Sequence, residues 1–192
     1  MARRTATKLH VHEKPWVRLR PGLIDDLCVG DVAHFEVVGE GPVRLESSFE
    51  DRLGNSRQKH DTVSSGSLNV LLAEAGQLRI TSACSRHCCA TMPSGGQAYQ
   101  VYPLPSASIT DGTNYLHEGE EASFEVSLHG TPPFAFEYQR LDPESGKLLE
   151  TLSVSSVLEH KTRVPVKSEG TFKISSVSDR HCRYPKRKAA SP

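Results

Sequence analysis

Apolar and polar residues alternate along many short stretches of this chain, with the two-residue period of β-strands. Ala33, Phe35 and Val37 alternate with polar residues in the first half, and Phe124 and Val126 do so in the second. Alternation of this kind places one face of a strand against a core and the other face in water, as in antiparallel sheets. No long stretch keeps the 3.6-residue period of a helix. The pattern therefore predicts an all-β protein.

The same short phrases occur twice along the chain. Gly30–Val37 reads GDVAHFEV and Gly119–Val126 reads GEEASFEV. Each half then ends in the triplet Arg-His-Cys, at Arg86–Cys88 and at Arg180–Cys182. A repeat of about ninety residues is a complete small domain and is too long for one solenoid unit. The sequence therefore predicts two copies of one module, which favours a structural or binding protein.

A third alignment predicts where each module begins. Val11–Gly22 and Val101–Gly112 both start with Val, carry Pro four residues later and close with Gly. We expect a tail or the last strand of a preceding repeat, a first domain, and a second domain with a basic C-terminal tail, at residues 1–14, 15–102 and 103–192. The connection at Pro103–Pro105 is short and carries Pro, so we expect it to be semi-rigid.

A turn with Gly followed by alternating apolar residues occurs in both halves and is typical of strand F in immunoglobulin-like domains. In those domains an aromatic residue lies two positions before the second core cysteine. Leu78 and Phe172 take the aromatic position, and Ile80 and Ile174 take that of the cysteine. The sequence thus predicts two tandem immunoglobulin-like β-sandwich domains without the usual core disulfide. The expected core motif is Phe35, Leu78, Ile80, Phe124, Phe134, Phe172 and Ile174.

Charge and hydropathy exclude several classes of partner. The 192 residues carry 23 basic and 23 acidic side chains, so the formal net charge is zero. A neutral chain has no overall field that attracts nucleic acid or an anionic membrane surface, and we expect no nucleic-acid partner. No apolar stretch reaches the ~18 residues of a membrane span. Membrane association is therefore expected only through sequence outside this chain.

Cysteine and histidine residues are concentrated at Cys84–Cys89, where a metal or catalytic site would have to lie. A structural zinc site needs two separated ligand pairs, and Cys84 and Cys88 have only scattered histidines to complete them. A catalytic Cys–His pair would also need an orienting acid at suitable spacing, and none is evident. We therefore expect no metal site, no cofactor and no enzymatic activity.

Three phrases of the second half, followed by Cys182, form a further pattern. They are GTPPF at Gly130–Phe134, GTFKI at Gly170–Ile174 and VSD at Val177–Asp179. Together they resemble the immunoglobulin-like repeats in the luminal part of the Pom152 family, which are fungal nuclear pore membrane proteins. The first half carries the pattern loosely, with Ala83–Ser85 in place of VSD.

This resemblance implies a structural role rather than an enzymatic one. The chain would be an immunoglobulin-like segment of a pore membrane nucleoporin, an extended scaffold in the perinuclear lumen of the nuclear envelope, at the nuclear pore complex. It would have protein partners, through self-association with other copies or with neighbouring repeats. The resemblance also implies a disulfide between Cys28, just before strand B, and Cys88, just after strand F. Cys89 as the partner of Cys28, or cysteines that are all reduced, remain alternatives.

The alternative function is a secreted or cell-surface adhesion or binding module. Such a module would need an exposed aromatic platform or a calcium-binding acidic cluster. Asp25, Asp26 and Asp31 come closest to the cluster but lack carboxylates from a second segment. Trp16 is the single tryptophan, and we expect it to anchor a core or an interdomain contact.

Overall fold

Fifteen strands and no helix make up the part of the chain that the computed structural model describes, residues 7–20, 26–64, 66–112 and 122–186. Two compact units are present, Met1–Val101 and Tyr102–Pro192, here called module 1 and module 2. Within the described ranges, no helix has the length and hydropathy that crossing a membrane requires. Asp25, the phrase at Gly119–Glu121 and the basic tail beyond Lys186 lie outside the described residues.

The strands have the following bounds along the chain. Those of module 1 are β1 (Trp16–Leu19), β2 (Leu27–Cys28), β3 (Val32–Val38), β4 (Val43–Asp51), β5 (Ser56–Val63), β6 (Gly66–Leu71), β7 (Gly76–Cys84) and β8 (Gln97–Tyr102, whose last residue already belongs to module 2). Those of module 2 are β9 (Ser106–Gly112), β10 (Ala122–His129), β11 (Phe134–Leu141), β12 (Leu148–Val157), β13 (Lys161–Val166), β14 (Thr171–Ser178) and β15 (Arg183–Tyr184).

Each module is a sandwich of two sheets, and the strand order is the same in both. In module 1 the sheets are β1-β3-β6 and β2-β8-β7-β4-β5. In module 2 they are β9-β10-β13 and β15-β14-β11-β12. Apart from the short β2, every strand of module 1 therefore has a counterpart in module 2. The predicted all-β, immunoglobulin-like fold is confirmed, and the two modules repeat one topology.

The central ladder of the larger sheet has the same irregularity in both modules. The pairing of β4 with β7 shifts after Glu46, and the Thr81 hydroxyl donates to the Glu46 carbonyl oxygen at 3.1 Å. The pairing of β11 with β14 shifts after Glu137, and the Ser175 hydroxyl donates to the Glu137 carbonyl oxygen at 3.1 Å. A β-bulge supported by the same side-chain hydrogen bond is a feature of the fold rather than a local accident.

A separate hydrophobic core fills each sandwich, and the predicted core motif contributes to both. The fully buried members of the motif, each 5% exposed or less, are Phe35, Leu78, Ile80, Phe124 and Phe134. Phe172 and Ile174 are half-buried and pack against the core of module 2. The Phe172 ring lies 5.2 Å from that of Phe124, so it closes one side of an aromatic cluster. Aliphatic and aromatic packing thus fills the positions where other immunoglobulin-like domains carry a disulfide.

Trp16 was expected to anchor a core or an interdomain contact; it is not a core residue, so the first alternative is wrong, and the second stays a prediction. Its side chain is 40% exposed, whereas the next residue, Val17, is buried. Because successive side chains of β1 point to opposite faces, only one of the two can face the core. The guanidinium carbon of Arg18 lies 5.0 Å from the centre of the Trp16 ring, a cation–π contact at the surface.

Candidate functional site

The Arg-His-Cys triplet of each module lies in the turn that follows the central strand of the larger sheet. In module 1 the backbone N–H of Ser85 donates to the carbonyl oxygen of Cys88 at 2.9 Å. In module 2 the backbone N–H of Asp179 donates to the carbonyl oxygen of Cys182, also at 2.9 Å. The two triplets therefore have the same backbone conformation, and we call these segments the Arg-His-Cys turns.

The histidine of each turn stacks on an aromatic ring from the segment that enters its module. His87 stacks on His12, with ring centroids 3.9 Å apart and planes inclined by 9°. His181 stacks on Tyr102, with centroids 3.7 Å apart and planes inclined by 7°. His12 and Tyr102 occupy the same position in the alignment of the module starts. The stack is therefore a duplicated contact, and it fastens the entering segment to the turn.

The cysteine of each turn lies against the same entering segment. The Cys88 thiol donates to the carbonyl oxygen of Glu13 at 3.2 Å. Cys182 Sγ lies 3.9 Å from the carbonyl oxygen of Tyr102. The oxidation states differ, since Cys88 is a free thiol and Cys182 is disulfide-bonded.

The predicted Cys28–Cys88 disulfide is wrong. In the structure Cys84 bonds to Cys89, Cys88 is free, and Cys28 is disulfide-bonded to a different residue. Cys84 and Cys89 are direct cross-strand partners, with Cα atoms 4.0 Å apart. Cys88 lies inside the turn, where its thiol faces Glu13. The hairpin geometry, which the spacing of the cysteines did not reveal, decides the pairing.

Module 2 closes the same turn with a carboxylate. Ser178 and Arg183 are cross-strand partners at the positions that Cys84 and Cys89 occupy in module 1. Asp179 Oδ1 accepts hydrogen bonds from the backbone N–H groups of His181 and Cys182, at 2.9 and 2.7 Å. Ser85 occupies the position of Asp179 in module 1 and offers only a hydroxyl, which donates to the Cys88 carbonyl oxygen at 3.0 Å.

Asp179 also joins two of the phrases that carry the resemblance noted above. Its Oδ2 atom accepts a hydrogen bond from the backbone N–H of Thr131 at 2.8 Å. The Arg180 N–H donates to the Thr131 carbonyl oxygen at 2.9 Å. Gly130 permits this approach, because a Cβ atom there would lie 2.5 Å from Asp179 Oδ2. The GTPPF and VSD phrases are thus two sides of one hydrogen-bonded junction.

The carboxylates with lowered pKa values serve structural contacts: Asp51 and Asp142 belong to hairpins, and Glu125 on β10 accepts hydrogen bonds from the side chains of Lys161 and Thr110. A hydrogen bond from the Asn55 side chain lowers the pKa of Asp51, and the Ser145 backbone N–H lowers that of Asp142. Acid–base catalysis needs neighbouring groups whose pKa values are pushed apart. Asp51 and Asp142 lie in different modules, and each serves its own turn.

Of the acidic residues considered for calcium, Asp31 closes a turn. Asp31 Oδ2 accepts a hydrogen bond from the Cys28 backbone N–H at 2.8 Å, which closes the turn between β2 and β3. Among the described residues, the ligand-type side chains that converge are His12, Glu40 and His87. The sequence alone does not single out His12 or Glu40, because only folding brings them near the turn. The alignment of His12 with Tyr102 was the one available signal.

Comparison with known proteins agrees with the resemblance seen in the sequence. Residues 105–184 match the family described as "Nucleoporin POM152, Ig-like domain". The chain is 31% identical over 172 residues to nucleoporin pom152 of Schizosaccharomyces pombe, which covers 85% of this chain and 13% of that protein. It is 26% identical over 176 residues to nucleoporin POM152 of Saccharomyces cerevisiae, which covers 82% of this chain and 13% of that protein.

The relatives differ from this chain in length, and the solved structure is similar to it only weakly. Each of the two nucleoporins is much longer than this chain, which spans 13% of their length. Both are nucleoporins, which agrees with the non-enzymatic function expected from the sequence. Among solved structures, the human OSCAR ligand-binding domain has a TM-score of 0.31 and 15% identity, covering 91% of this chain and 95% of that one. That likeness adds nothing to the fold assignment.

Proposed function

Module 2 belongs to the Pom152 Ig-like domain family and the chain as a whole is similar to Pom152, and from this premise we propose that the chain is a structural segment of a pore membrane nucleoporin. The observation that carries the proposal is the junction at Asp179, because its carboxylate joins the phrases that carry the resemblance through hydrogen bonds to their backbone N–H groups. The localisation is the nuclear pore complex of the nuclear envelope, as for the nucleoporins it resembles.

The disulfides support a place in the perinuclear lumen. Disulfides persist in oxidising compartments such as the lumen of the endoplasmic reticulum and are rare in the cytosol and the nucleus. Cys84 and Cys89 are bonded to each other, and Cys28 and Cys182 are disulfide-bonded as well. A domain on the cytosolic side of the envelope would keep these side chains as thiols.

An extended scaffold is the proposed mechanical role. The connection between β8 and β9 is Pro103–Pro105, which leaves little chain for free rotation. Pro105 is buried, and so is Pro15 at the equivalent position of module 1. Each module would then hold a fixed direction relative to the chain that enters it, and repeated modules would form a rod.

Self-association through a strand edge is the proposed mode of assembly. The edge strand β5 of module 1 carries Arg57, Lys59 and Asp61, charges that oppose pairing with another sheet. The equivalent edge strand β12 has no charged residue after Glu150, and Leu152 is 37% exposed. Register shifts at both ends of β12 leave Glu150–Val154 as its regular stretch. Within it, Thr151–Val154 carries no charge and supports pairing with a second copy.

Sedimentation equilibrium of the full chain tests the self-association. We expect a concentration-dependent dimer for the native chain and a monomer for Ser153→Lys, because a lysine in the middle of β12 would oppose edge pairing. Ser56→Lys on β5 is the matched control and should leave the dimer constant unchanged. A native chain that stays monomeric at high micromolar concentration would refute this mode of assembly.

Localisation is tested in the cells that make the protein. The natural gene is tagged with a fluorescent protein, and its distribution is compared with that of an established nucleoporin. We expect spots at the nuclear rim that coincide with pores. Protease added to sealed nuclear membranes should spare the segment until detergent is present. A diffuse cytosolic signal, or cleavage of the segment without detergent, would contradict the proposal.

A further inference from the structure

Three segments of module 1 are held together beside its Arg-His-Cys turn. Pro15 is buried against Gly39, where a Cβ atom would lie 3.0 Å from the Pro15 Cβ. The Cys88 thiol holds the Glu13 carbonyl, and Lys14 Nζ donates to Thr91 Oγ1 at 3.0 Å. These contacts fix the backbone of the entering segment against the turn before β4 and against the Arg-His-Cys turn.

The exposed side chains that meet there are metal ligands. His12 Nδ1 lies 2.8 Å from Glu40 Oε2, and ligand atoms of His12, Glu40 and His87 all lie within 4.8 Å of one another. The ring of a further histidine, His10, lies 6.5 Å from that of His12. Two imidazoles and a carboxylate are the donor set that zinc and similar transition metals take in proteins.

Module 2 has the same stack without the ligands. Tyr102 replaces His12, and a tyrosine phenol is not among the ligands that zinc ordinarily takes in proteins. Thr131, in the GTPPF phrase that corresponds to the turn before β4, carries no carboxylate. The stack is thus common to both modules, whereas the convergence of nitrogen and oxygen donors is particular to module 1. Stacking alone does not require a histidine at position 12.

We propose that His12, His87 and Glu40 bind a divalent transition-metal ion of the zinc class, with His10 as the fourth ligand. The ion would pin the entering segment to the Arg-His-Cys turn, a contact that module 2 makes by stacking alone. The site goes beyond the proposed scaffold function and does not depend on it. Neither Cys84 nor Cys89 takes part, because both are in a disulfide.

Binding requires a small change of side-chain conformation. Ring nitrogens donate in the plane of the imidazole, and the planes of His12 and His87 are nearly parallel. One ring must therefore turn for both nitrogens to reach a single ion. All three ligand residues are exposed, so the rotation breaks the stack between His12 and His87 but displaces no core side chain. The backbone positions, fixed as described above, need not move.

Calorimetric titration with zinc chloride tests the site. The full chain is prepared without a tag, treated with EDTA, and carries Cys88→Ser so that the free thiol cannot bind the metal. We expect one zinc ion per chain. His12→Tyr, which copies the ring of module 2 and keeps the stack, should weaken the affinity at least ~10-fold, and Glu40→Gln should weaken it several-fold, since both remove a direct ligand.

The matched control is His60, whose Nδ1 lies 3.8 Å from Glu46 Oε1 in another exposed His–Glu pair. His60→Tyr should leave the affinity unchanged. Imidazole nitrogen resonances of His12 and His87 should shift with zinc in the parent, and those of His60 should not. Absence of saturable binding, or equal affinity in Glu40→Gln and the parent, would overturn the proposal. Glu40 is exposed, so its variant reports on the site even where His12→Tyr fails to fold.

Discussion

At the scale of single residues, the Arg-His-Cys turns show how different side chains close one backbone conformation. Asp179 accepts backbone hydrogen bonds from Thr131, His181 and Cys182. Module 1 has Ser85 at this position and adds the Cys84–Cys89 disulfide around it. A charged acceptor and a covalent bond thus serve the same purpose in the two copies.

Loss of the Asp179 carboxylate should destabilise module 2. Hydrogen bonds to a charged group contribute ~1.5–3 kcal/mol in favourable cases, and Asp179 is half-buried, so we expect Asp179→Ala to lower the free energy of unfolding by about 1–3 kcal/mol. Urea unfolding of the full chain measures this loss of stability, and hydrogen exchange in β14 locates it in module 2. Glu144→Ala removes an exposed carboxylate and should change little. Equal stability of both variants would show that Asp179 does not hold the turn.

Acid should weaken the hairpin between β11 and β12 through Asp142. The backbone N–H and the hydroxyl of Ser145 both donate to Asp142 Oδ1 at 2.7 Å. These bonds lower the pKa of Asp142 from its ordinary value of 3.8. Because the folded pKa is below the unfolded one, the stabilisation is complete above pH 3.8 and is lost as the pH falls through the folded pKa.

Asp142→Asn removes this titration and leaves an oxygen that can still accept the bonds. We expect the urea midpoint of the variant to depend less on pH below about 4 than that of the native chain. Glu144→Gln, which changes a neighbouring carboxyl group in the same turn, is the control and should keep the native dependence. Identical acid profiles for Asp142→Asn and the native chain would contradict the account.

The residue scale is also where the sequence was least informative. Cys88 and Cys89 are neighbours, and only the turn geometry shows that Cys89 faces Cys84 across the ladder. Glu40 gave no signal in the sequence, because it is exposed and lies in a different segment, and His12 gave only its alignment with Tyr102. Trp16 was expected in a core because large apolar side chains are usually buried. In the structure Val17 takes the buried face of β1, and Trp16 lies on the outer face.

At the scale of elements, the duplicated topology was predictable because burial itself imposes the period. β3 buries Ala33, Phe35 and Val37, the alternating residues from which the strand was predicted. β10 does the same with Phe124 and Val126. The β-bulge beside Glu46 and Glu137 was not predictable, since it depends on which hydroxyl reaches a carbonyl across the sheet. Edge positions such as β12 also follow only from the strand order.

The equivalence of the two hairpins predicts that a disulfide can be transferred between them. Ser178→Cys with Arg183→Cys, in a Cys88→Ser background, places two cysteines where module 1 has Cys84 and Cys89. We expect a bond to form on mild oxidation, detected by mass spectrometry. In the chain-entropy treatment a bridge closing so short a loop stabilises by about 2 kcal/mol relative to the reduced variant.

Ser178→Cys alone is the control for this transfer and should retain a reactive thiol. After oxidation, neither of the two new cysteines of the double variant should be labelled by maleimide. Two thiols that remain reactive under these conditions would show that the turns of the two modules are not equivalent.

At the scale of the whole molecule, two immunoglobulin-like modules repeat one sheet order, one bulge and one stacked contact. Repetition was visible in the sequence because matching phrases recur around matching turns. The resemblance to the Pom152 family was visible in the phrases that meet at Asp179. The proposed metal ligands and the edge strand β12 could not be predicted from the sequence. They arise from differences between the copies rather than from what the copies share.

We propose that these modules act as an extended scaffold, and small-angle X-ray scattering of the full chain tests this proposal most directly. A compact globule of this length would have a radius of gyration of about 16 Å. The account predicts a clearly larger value, ~20 Å or more, with a shoulder in the distance distribution that reports two separated modules. A radius near the compact value with a single symmetric peak would contradict it.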